Sequence, residues 1–435
     1  MKVNFFELSK MNSGERAKLC RRTGVDLRDL KIRVTPILDA VRDRGNEAVR
    51  EYTARFDGVD LEPDLFRVSL EDMDHARDSL PQDLKEAMEV SIRNIRVFHE
   101  RQVEPPSWEM EISPGIIAGE RIVPIASVGL YVPRGKGSFP SMMMMSGVPA
   151  KVAGVPRIVV VTPPDRHGKA DAATIAAARM IGIDEVYALG GVQAVAALAY
   201  GTETIEKVDK IVGPGSGYVL AAKQLLSTEV DTGLPAGPSE AIVLADDSAD
   251  PLMVVTDLLI EAEHGPDSAA YLVTHSPILA SKALELIPQL VADLPEGRRS
   301  YCQEVFRTNG GVVLAEDMDD ALDFVNRFAP EHLQILTHNP SATLDKVQYA
   351  GEALLGEFTP GTLANYSIGP NAILPTSGFA RTASALSVRD FTRRMSYSQV
   401  TEAGFRDLAP KTLTLARYEG FAAHAAALTH RMQKK

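Results

Sequence analysis

The chain has 435 residues, more than one ordinary hydrophobic core accommodates, which favours two or three domains. Apolar residues make up 45% and charged residues 24%, as in globular proteins, and the longest apolar runs are too short to span a membrane. A formal net charge of −12 without a basic stripe argues against nucleic-acid binding. Two cysteines, Cys20 and Cys302, provide neither a disulfide framework nor a thiolate zinc site, and no secretory signal begins the chain. These features predict a cytoplasmic protein.

The segment before residue 130 is predicted to include one long helix. A long polar helix is expected over Gln82–Gln102, because Met88, Ile92, Ile95 and Phe98 recur at helical spacing and would form one apolar face.

The middle of the chain alternates β-branched runs with Ala-rich helical patterns, an arrangement typical of a parallel sheet covered by helices on both faces. Predicted strands here are 157–163 and 185–189, and predicted helices are 172–181 and 192–200, followed by the glycine-rich turn Gly213-Pro214-Gly215-Ser216-Gly217.

The same alternation resumes after residue 238 and predicts a second α/β unit. Predicted strands are 240–245, 270–274, 311–314 and 334–337, and predicted helices are 251–263 and 318–328. We therefore expect an α/β fold with two Rossmann-like parallel-sheet domains and helical extensions at both termini. The expected domains are 1–24, 25–130 together with 239–386, 131–238, and 387–435. The Ala- and Leu-rich final segment is expected to be helical and to dock on another subunit.

Two short stretches carry residues suited to catalysis. Glu261 and His264 are three residues apart, so on a helix both would face one site and could share a metal ion, although this spacing also occurs by chance. Glu331 and His332 place a carboxylate beside an imidazole, two groups that exchange protons near neutral pH. The alternative for this pair is a capping carboxylate next to a solvated imidazole.

Glycine-rich turns provide a third kind of candidate. The turn at 213–217 leads from strand to helix, which suits an anion at a helix N-terminus, but it is not the dinucleotide fingerprint. A second glycine-rich stretch, 128–137, contains Tyr131, which is available to stack or to form a hydrogen bond.

Taken together in order, several segments resemble histidinol dehydrogenases over almost the full chain. The matching segments are Ser127-Val128-Gly129-Leu130-Tyr131-Val132-Pro133, Gly190-Gly191-Val192-Gln193-Ala194, Val212-Gly213-Pro214-Gly215, Ala236-Gly237-Pro238-Ser239-Glu240, Ala262-Glu263-His264-Gly265-Pro266-Asp267-Ser268, Pro330-Glu331-His332-Leu333 and Ile373-Leu374-Pro375-Thr376.

This resemblance implies a four-electron oxidation of an alcohol through an aldehyde to a carboxylate, with two NAD⁺ used in succession at a zinc site. By resemblance, His332 takes the alcohol proton and Glu331 activates water for the second oxidation. The implied zinc ligands are Glu261, His264, Asn365 and His424. The implied substrate contacts are Ser239, Glu261, His264, Asn365, Glu419 and His424, and the implied NAD contacts are Tyr131, Gln193 and Ser216. The family's C-terminal His and Glu reach the neighbouring subunit's site, which implies a domain-swapped homodimer.

Four positions depart from the family pattern near its ligands. Glu261 stands where the family has Gln, and Asn365 stands where it has Asp, so the ligand set keeps one carboxylate, one amide and two imidazoles. Ala372 replaces a histidine near the substrate, and Ser216 replaces an asparagine at an NAD position.

Arg134 and Lys136 add two cations where the family has small residues. Three functions therefore compete: oxidation of L-histidinol, oxidation of another alcohol, and non-catalytic binding or regulation. The two cations motivate an anionic alcohol such as a sulfonated diol as the second possibility.

Overall fold

The computed structural model describes residues 1–20, 27–134 and 137–433. The chain forms two compact units, the first comprising Met1–Gln102 with Ile125–Phe391 and the second Val103–Pro124 with Thr392–Lys435. None of the helices within the described ranges combines the length and apolar character needed to cross a membrane.

Strands and helices are numbered in chain order. The strands are β1 Phe5–Glu7, β2 Ser107–Ser113, β3 Ile116–Pro124, β4 Ser127–Tyr131, β5 Arg157–Val161, β6 Glu185–Tyr187, β7 Lys210–Val212, β8 Glu240–Ala245, β9 Ala269–Thr274, β10 Gly310–Leu314, β11 His332–Leu336, β12 Glu352–Leu355 and β13 Thr392–Val400. The α-helices are α1 Ser13–Cys20, α2 Leu27–Arg44, α3 Asn46–Asp57, α4 Leu70–Asp78, α5 Gln82–Glu100, α6 Pro140–Val152, α7 Ala172–Ile181, α8 Gly191–Tyr200, α9 Gly217–Leu225, α10 Pro251–Ala262, α11 Pro277–Asp293, α12 Glu296–Thr308, α13 Met318–Phe328, α14 Pro340–Leu344, α15 Gly361–Tyr366, α16 Glu402–Tyr418 and α17 Ala422–Met432.

The first unit contains two parallel sheets. One has six strands in the order β1-β10-β9-β8-β11-β12, and the other has four in the order β6-β5-β4-β7. Helices cover both faces of each sheet, which explains why consecutive residues of the strands are apolar. In β5, Val159 and Val161 pack with α2, α8 and α9, while Val160 packs with α6 and α7 on the opposite face.

The six-stranded sheet has a core on each face. One face packs against α10, α11 and α12 through residues such as Leu258, Ile287 and Phe306. The other packs against α13, where Phe324 and Phe328 surround Tyr271 of β9. These cores fix the relative positions of the strand ends that carry the candidate site.

The second unit is an antiparallel sheet, β13-β3-β2, followed by α16 and α17. The C-terminal helices expose large apolar side chains, with Leu415 at 65%, Tyr418 at 92% and Phe421 at 53% exposure. This unit therefore presents an apolar surface suited to a partner.

The α/β class with parallel sheets is confirmed, and most predicted elements fall within two or three residues of the observed ones. The predicted helix over Gln82–Gln102 is α5. The strands that were not predicted are β1, β2, β3, β4, β12 and β13. β1 and β13 pair with strands distant in the chain, which local periodicity does not report, whereas β2 pairs with the neighbouring strand β3 and is exposed along its length. The domain boundaries stay a prediction.

Candidate active site

The candidate active site lies at the amino ends of three neighbouring strands. Ser239 precedes β8, His332 is the first residue of β11, and Glu352 is the first residue of β12. Because these strands are parallel neighbours, their starting residues lie side by side at one edge of the sheet. Sequence analysis placed His332 before a strand beginning at Gln334, which is wrong by two residues, because His332 already pairs with Ala241 in the ladder.

His332 is surrounded by three carboxylates. Its Nδ1 lies 2.6 Å from Oε1 of Glu352, and its Nε2 lies 3.8 Å from Oε1 of both Glu331 and Glu261. Burial disfavours the charged imidazole, but the charges of Glu261 and Glu331 and the hydrogen bond with Glu352 outweigh it and raise the pKa of His332 to about 10.

Glu352 was missed by sequence analysis. No motif surrounds it, and it reaches the imidazole only because β11 and β12 pair in a register that sets His332 opposite Glu352. A carboxylate on Nδ1 fixes the ring orientation and leaves Nε2 facing the other carboxylates. Glu352 is therefore placed to orient the candidate base.

Glu331 sits in a tight turn between helix and strand. The preceding helix α13 ends at Phe328, and Ala329 takes the left-handed conformation with φ 52°, unusual for a residue other than glycine. The backbone N–H of Glu240 donates to Glu331 Oε2 at 2.8 Å. Burial raises the pKa of Glu331 to about 8, although the charge of His332 opposes the shift. A carboxyl group that titrates near neutral pH suits a general base.

Glu261, His264 and Asn365 converge beside this cluster. Glu261 lies in the last turn of α10 and is 2% exposed, His264 follows the helix end, and Asn365 lies on α15. The Nδ2 of Asn365 donates to Glu261 Oε1 at 3.1 Å. Oε2 of Glu261 lies 2.7 Å from His264 Nδ1, yet it is buried without a hydrogen bond of adequate geometry. Burial favours the neutral carboxyl, but the charges of His332 and His264 prevail and lower the pKa of Glu261.

These three residues fit a divalent cation. Carboxylate, imidazole and amide groups are all metal ligands, and Oε2 of Glu261 is buried without a hydrogen bond of adequate geometry. Within the described part of the chain, no group of three or more His, Cys, Asp or Glu side chains is arranged to hold a metal. The convergent set contains only one carboxylate and one imidazole together with the amide of Asn365.

The two C-terminal site residues, Glu419 and His424, belong to the second unit. They line an apolar cleft of about 530 Å³ together with Leu415, Phe421 and Leu428. The ring of His424 packs edge-on against Phe421, with centroids 5.0 Å apart. The candidate site residues at the strand ends belong to the first unit, and Glu419 and His424 belong to the second.

The convergent residues line a pocket of about 280 Å³. Its other lining residues come partly from loops of the four-stranded sheet, at Pro133 and Pro214, and Ala372 lies in its wall. The charged residues among the described lining are Glu261, Glu263, Glu331, His264, His332 and Arg298. The raised pKa values of Glu331, His264 and His332, together with Arg298, offset the charges of Glu261 and Glu263, so the lining carries no clear excess of negative charge.

The predicted cofactor residues lie at the carboxyl edge of the four-stranded sheet. Tyr131 ends β4, and its hydroxyl accepts a hydrogen bond from Gly191 N–H at 3.1 Å. Gln193 is fully buried in the first turn of α8, and Ser216 is the residue preceding α9. The chain order reverses between β4 and β7, and ligands of open α/β sheets bind outside the strand ends at such a point.

Gly213 allows the loop after β7 to approach β4 closely. Its φ is 121°, and a Cβ there would lie 2.1 Å from the carbonyl oxygen of Tyr131. The glycine-rich turn is therefore shaped by close packing at this edge of the sheet.

Arg134 does not support the anionic-substrate hypothesis. Its Nη1 donates to the carbonyl oxygen of Lys169 at 2.9 Å, and its Nη2 lies 4.0 Å from Asp165. It is not among the described residues that line the pocket. Lys136, the second cation of that hypothesis, lies outside the described residues.

Comparison with known proteins identifies the family. The family model described as Histidinol dehydrogenase matches residues 20–432. The chain belongs to the histidinol dehydrogenase family. It is 48% identical to histidinol dehydrogenase of Synechocystis sp., over 99% of each chain, and 49% identical to histidinol dehydrogenase homolog 2 of Mesorhizobium japonicum, over 98% of this chain and 97% of that protein.

A solved structure shows the same fold. Histidinol dehydrogenase from Elizabethkingia anophelis superimposes with a TM-score of 0.93 at 33% identity, covering 99% of this chain and 98% of that one. The chain is thus an enzyme of an NAD-dependent dehydrogenase family, as the sequence predicted.

Proposed function

We propose that this histidinol dehydrogenase homologue oxidises L-histidinol through the aldehyde to L-histidine, using two NAD⁺ in succession and one zinc ion. The observation that carries the proposal is the buried His332, oriented by Glu352, which lines one pocket with Glu331 and the convergent residues Glu261, His264 and Asn365.

Two residues divide the proton transfers. His332 takes the alcohol proton in its neutral form, whose fraction grows as the pH rises towards its raised pKa. Loss of the alcohol proton makes the neighbouring hydride a better leaving group, and Glu352 holds the imidazole in place. Glu331 takes a proton from the water that attacks the aldehyde, and its pKa of about 8 suits that step near neutral pH. Removal of each proton raises the electron density at carbon and so favours hydride loss.

The proposal assigns residues to each of the two implied cofactors. Zinc, held by Glu261, His264, Asn365 and His424, would bind the amine and imidazole nitrogens of the substrate and orient its alcohol. NAD⁺, held by Tyr131, Gln193 and Ser216, would accept the hydride of each oxidation.

We place His424 and Glu419 in the site of a second copy of the chain, so that the enzyme is a homodimer. The support is the family resemblance together with the exposed apolar side chains of α16 and α17. A cytoplasmic location is part of the same proposal, because the only two cysteines, Cys20 and Cys302, do not form a disulfide with each other.

An amino alcohol is favoured over an anionic alcohol, because Arg134, one of the two cations that motivate an anionic substrate, donates to the carbonyl oxygen of Lys169 and is not among the described residues that line the pocket. A second substrate, an amino alcohol other than histidinol, is favoured by Ala372, which leaves space in the wall where the family has a histidine. The loss of one such contact shifts discrimination by ~1–3 kcal/mol.

The test is a substrate panel monitored by NADH absorbance, with L-histidinol, other amino alcohols and hydroxylated sulfonates. L-histidinol should yield two NADH per molecule consumed and L-histidine as product, with kcat/KM of about 10⁴ M⁻¹s⁻¹ or more. Faster turnover of another amino alcohol would select the second substrate, and turnover of the sulfonates alone would contradict both amino-alcohol substrates.

A further inference from the structure

Gln193 has an unusual environment at the candidate cofactor edge. Its side-chain Nε2 donates to Oδ2 of Asp57 at 3.2 Å, whereas its Oε1 is buried without a hydrogen-bond partner. An ionised carboxylate can only accept, so Asp57 fixes which end of the Gln193 amide faces it. Buried polar groups without partners are rare in native proteins and call for an explanation.

Asp57 occupies a position that is costly for a carboxylate. It is the last residue of α3, where the negative end of the helix dipole lies. Burial raises its pKa to about 6, and the hydrogen bond from Gln193 only partly opposes this shift. Across the described ranges no lysine, arginine or histidine forms an ion pair with it. A carboxylate at this position without a cationic partner does not stabilise the fold, and it is better explained by the binding of a ligand.

The location of Asp57 supports this conclusion. Through Gln193 it joins the first turn of α8, which also donates Gly191 N–H to the Tyr131 hydroxyl at the end of β4. Burial, together with the negative charge of Asp57, raises the pKa of Tyr131 to about 12. Asp57 therefore lies at the sheet edge where the order of the strands reverses.

We infer that Asp57 contacts the cofactor: its half-buried carboxylate accepts hydrogen bonds from a ribose diol of NAD⁺ and excludes the phosphorylated dinucleotide. A carboxylate matches two neighbouring hydroxyl donors and repels a phosphate at the same position. This inference rests on the proposed function, since it assigns a residue to the same NAD site.

The experiment titrates the full-length, metal-loaded protein with NADH and with NADPH by nucleotide fluorescence. The variants are Asp57→Asn, Gln193→Leu and, as a matched control, Asp64→Asn, which changes an exposed carboxylate a few residues further along. Thermal unfolding of each variant is measured in parallel.

Asp57→Asn should weaken NADH binding about 10- to 100-fold, the range for a lost hydrogen bond to a charged group. It should narrow the preference for NADH over NADPH by about tenfold or more, because the repulsion of phosphate is gone. Its Tm should equal or exceed that of the wild type, because a carboxylate at a helix C-terminus is removed. Asp64→Asn should change none of these quantities.

Three results would overturn the assignment. If the NADH affinity of Asp57→Asn is unchanged, Asp57 does not contact the cofactor. If Asp57→Asn weakens the binding of NADH and NADPH equally, as Gln193→Leu does, then Asp57 acts only by holding Gln193 in place. If Asp57→Asn lowers the Tm and leaves the preference for NADH over NADPH unchanged, the role of Asp57 is structural. Failure of the wild-type protein to bind NADH would instead contradict the proposed function and the assignment with it.

Discussion

Replacing Glu352 by Gln tests whether the orientation of His332 matters for catalysis, because the change leaves the candidate base itself in place. The side chain keeps its size and one acceptor oxygen, but the hydrogen bond of 2.6 Å to His332 Nδ1 loses its charge. Glu352 is not among the described residues that line the pocket, so the variant leaves the direct substrate contacts intact.

The size of the effect follows from the environment of that bond. A hydrogen bond to a charged group contributes ~1.5–3 kcal/mol, and this one is buried, since both side chains are less than a tenth exposed. If the bond serves to hold the imidazole for proton transfer, most of that energy is lost from the transition state. We therefore expect kcat to fall roughly 10- to 100-fold, at about 1.4 kcal/mol for each factor of ten. KM for the alcohol should change little.

The assay is steady-state NADH production from L-histidinol, or from whichever alcohol the panel selects. Glu357→Gln is the matched control, because Glu357 follows the same strand but is exposed, and it should retain wild-type rates. Glu352→Asp should recover part of the lost kcat, because it restores the charge.

Two results would refute this reasoning. A kcat within about threefold of wild type would mean that the imidazole is held without Glu352. A rise in KM with unaltered kcat would mean that Glu352 contributes to substrate binding and not to the proton transfer.

Four further predictions test other parts of the site and the fold. Glu331→Gln should slow aldehyde oxidation more than alcohol oxidation, measured with each substrate separately; equal losses would reject the division of roles between Glu331 and His332. The wild-type protein should bind roughly one equivalent of zinc per chain, and Glu261→Ala should bind none. A chelator should lower the Tm of the wild type but leave the Tm of Glu261→Ala unchanged, because bound metal stabilises only a folded protein with an intact site. Mixing refolded His424→Ala chains with Glu331→Gln/His332→Asn chains should restore activity that neither has alone, and no restoration would indicate a self-contained site. Burial lowers the pKa of Lys223 to about 8, so the unfolded state binds more protons between about pH 8 and 10 and unfolding free energy should rise there by at most ~1.4 kcal/mol per pH unit. Lys223→Met should remove that slope in urea titrations, and an unchanged slope would contradict the burial argument.

The sequence by itself determined the α/β class, the strand–helix alternation between residues 157 and 337, and the family. The reason is local: Val-rich runs buried on both faces, such as 157–161, and Ala-rich helical patterns, such as 172–181, carry their periodicity in a few consecutive residues. Motifs such as Pro330-Glu331-His332-Leu333 are equally local. Residues that act within one motif could therefore be found without a structure.

Only the tertiary structure decided which residues meet across the chain. Glu352 reaches His332 through the register of two parallel strands, and Asp57 reaches Gln193 across 136 positions of sequence. Neither pairing leaves a periodic signal, because the partners are set by which strand ends and helix ends share an edge. The structure also argues against a contact between Arg134 and the substrate, because its guanidinium donates to the carbonyl oxygen of Lys169. A charge read from sequence gives the sign of a side chain, while the direction in which it points depends on packing between segments distant in the chain.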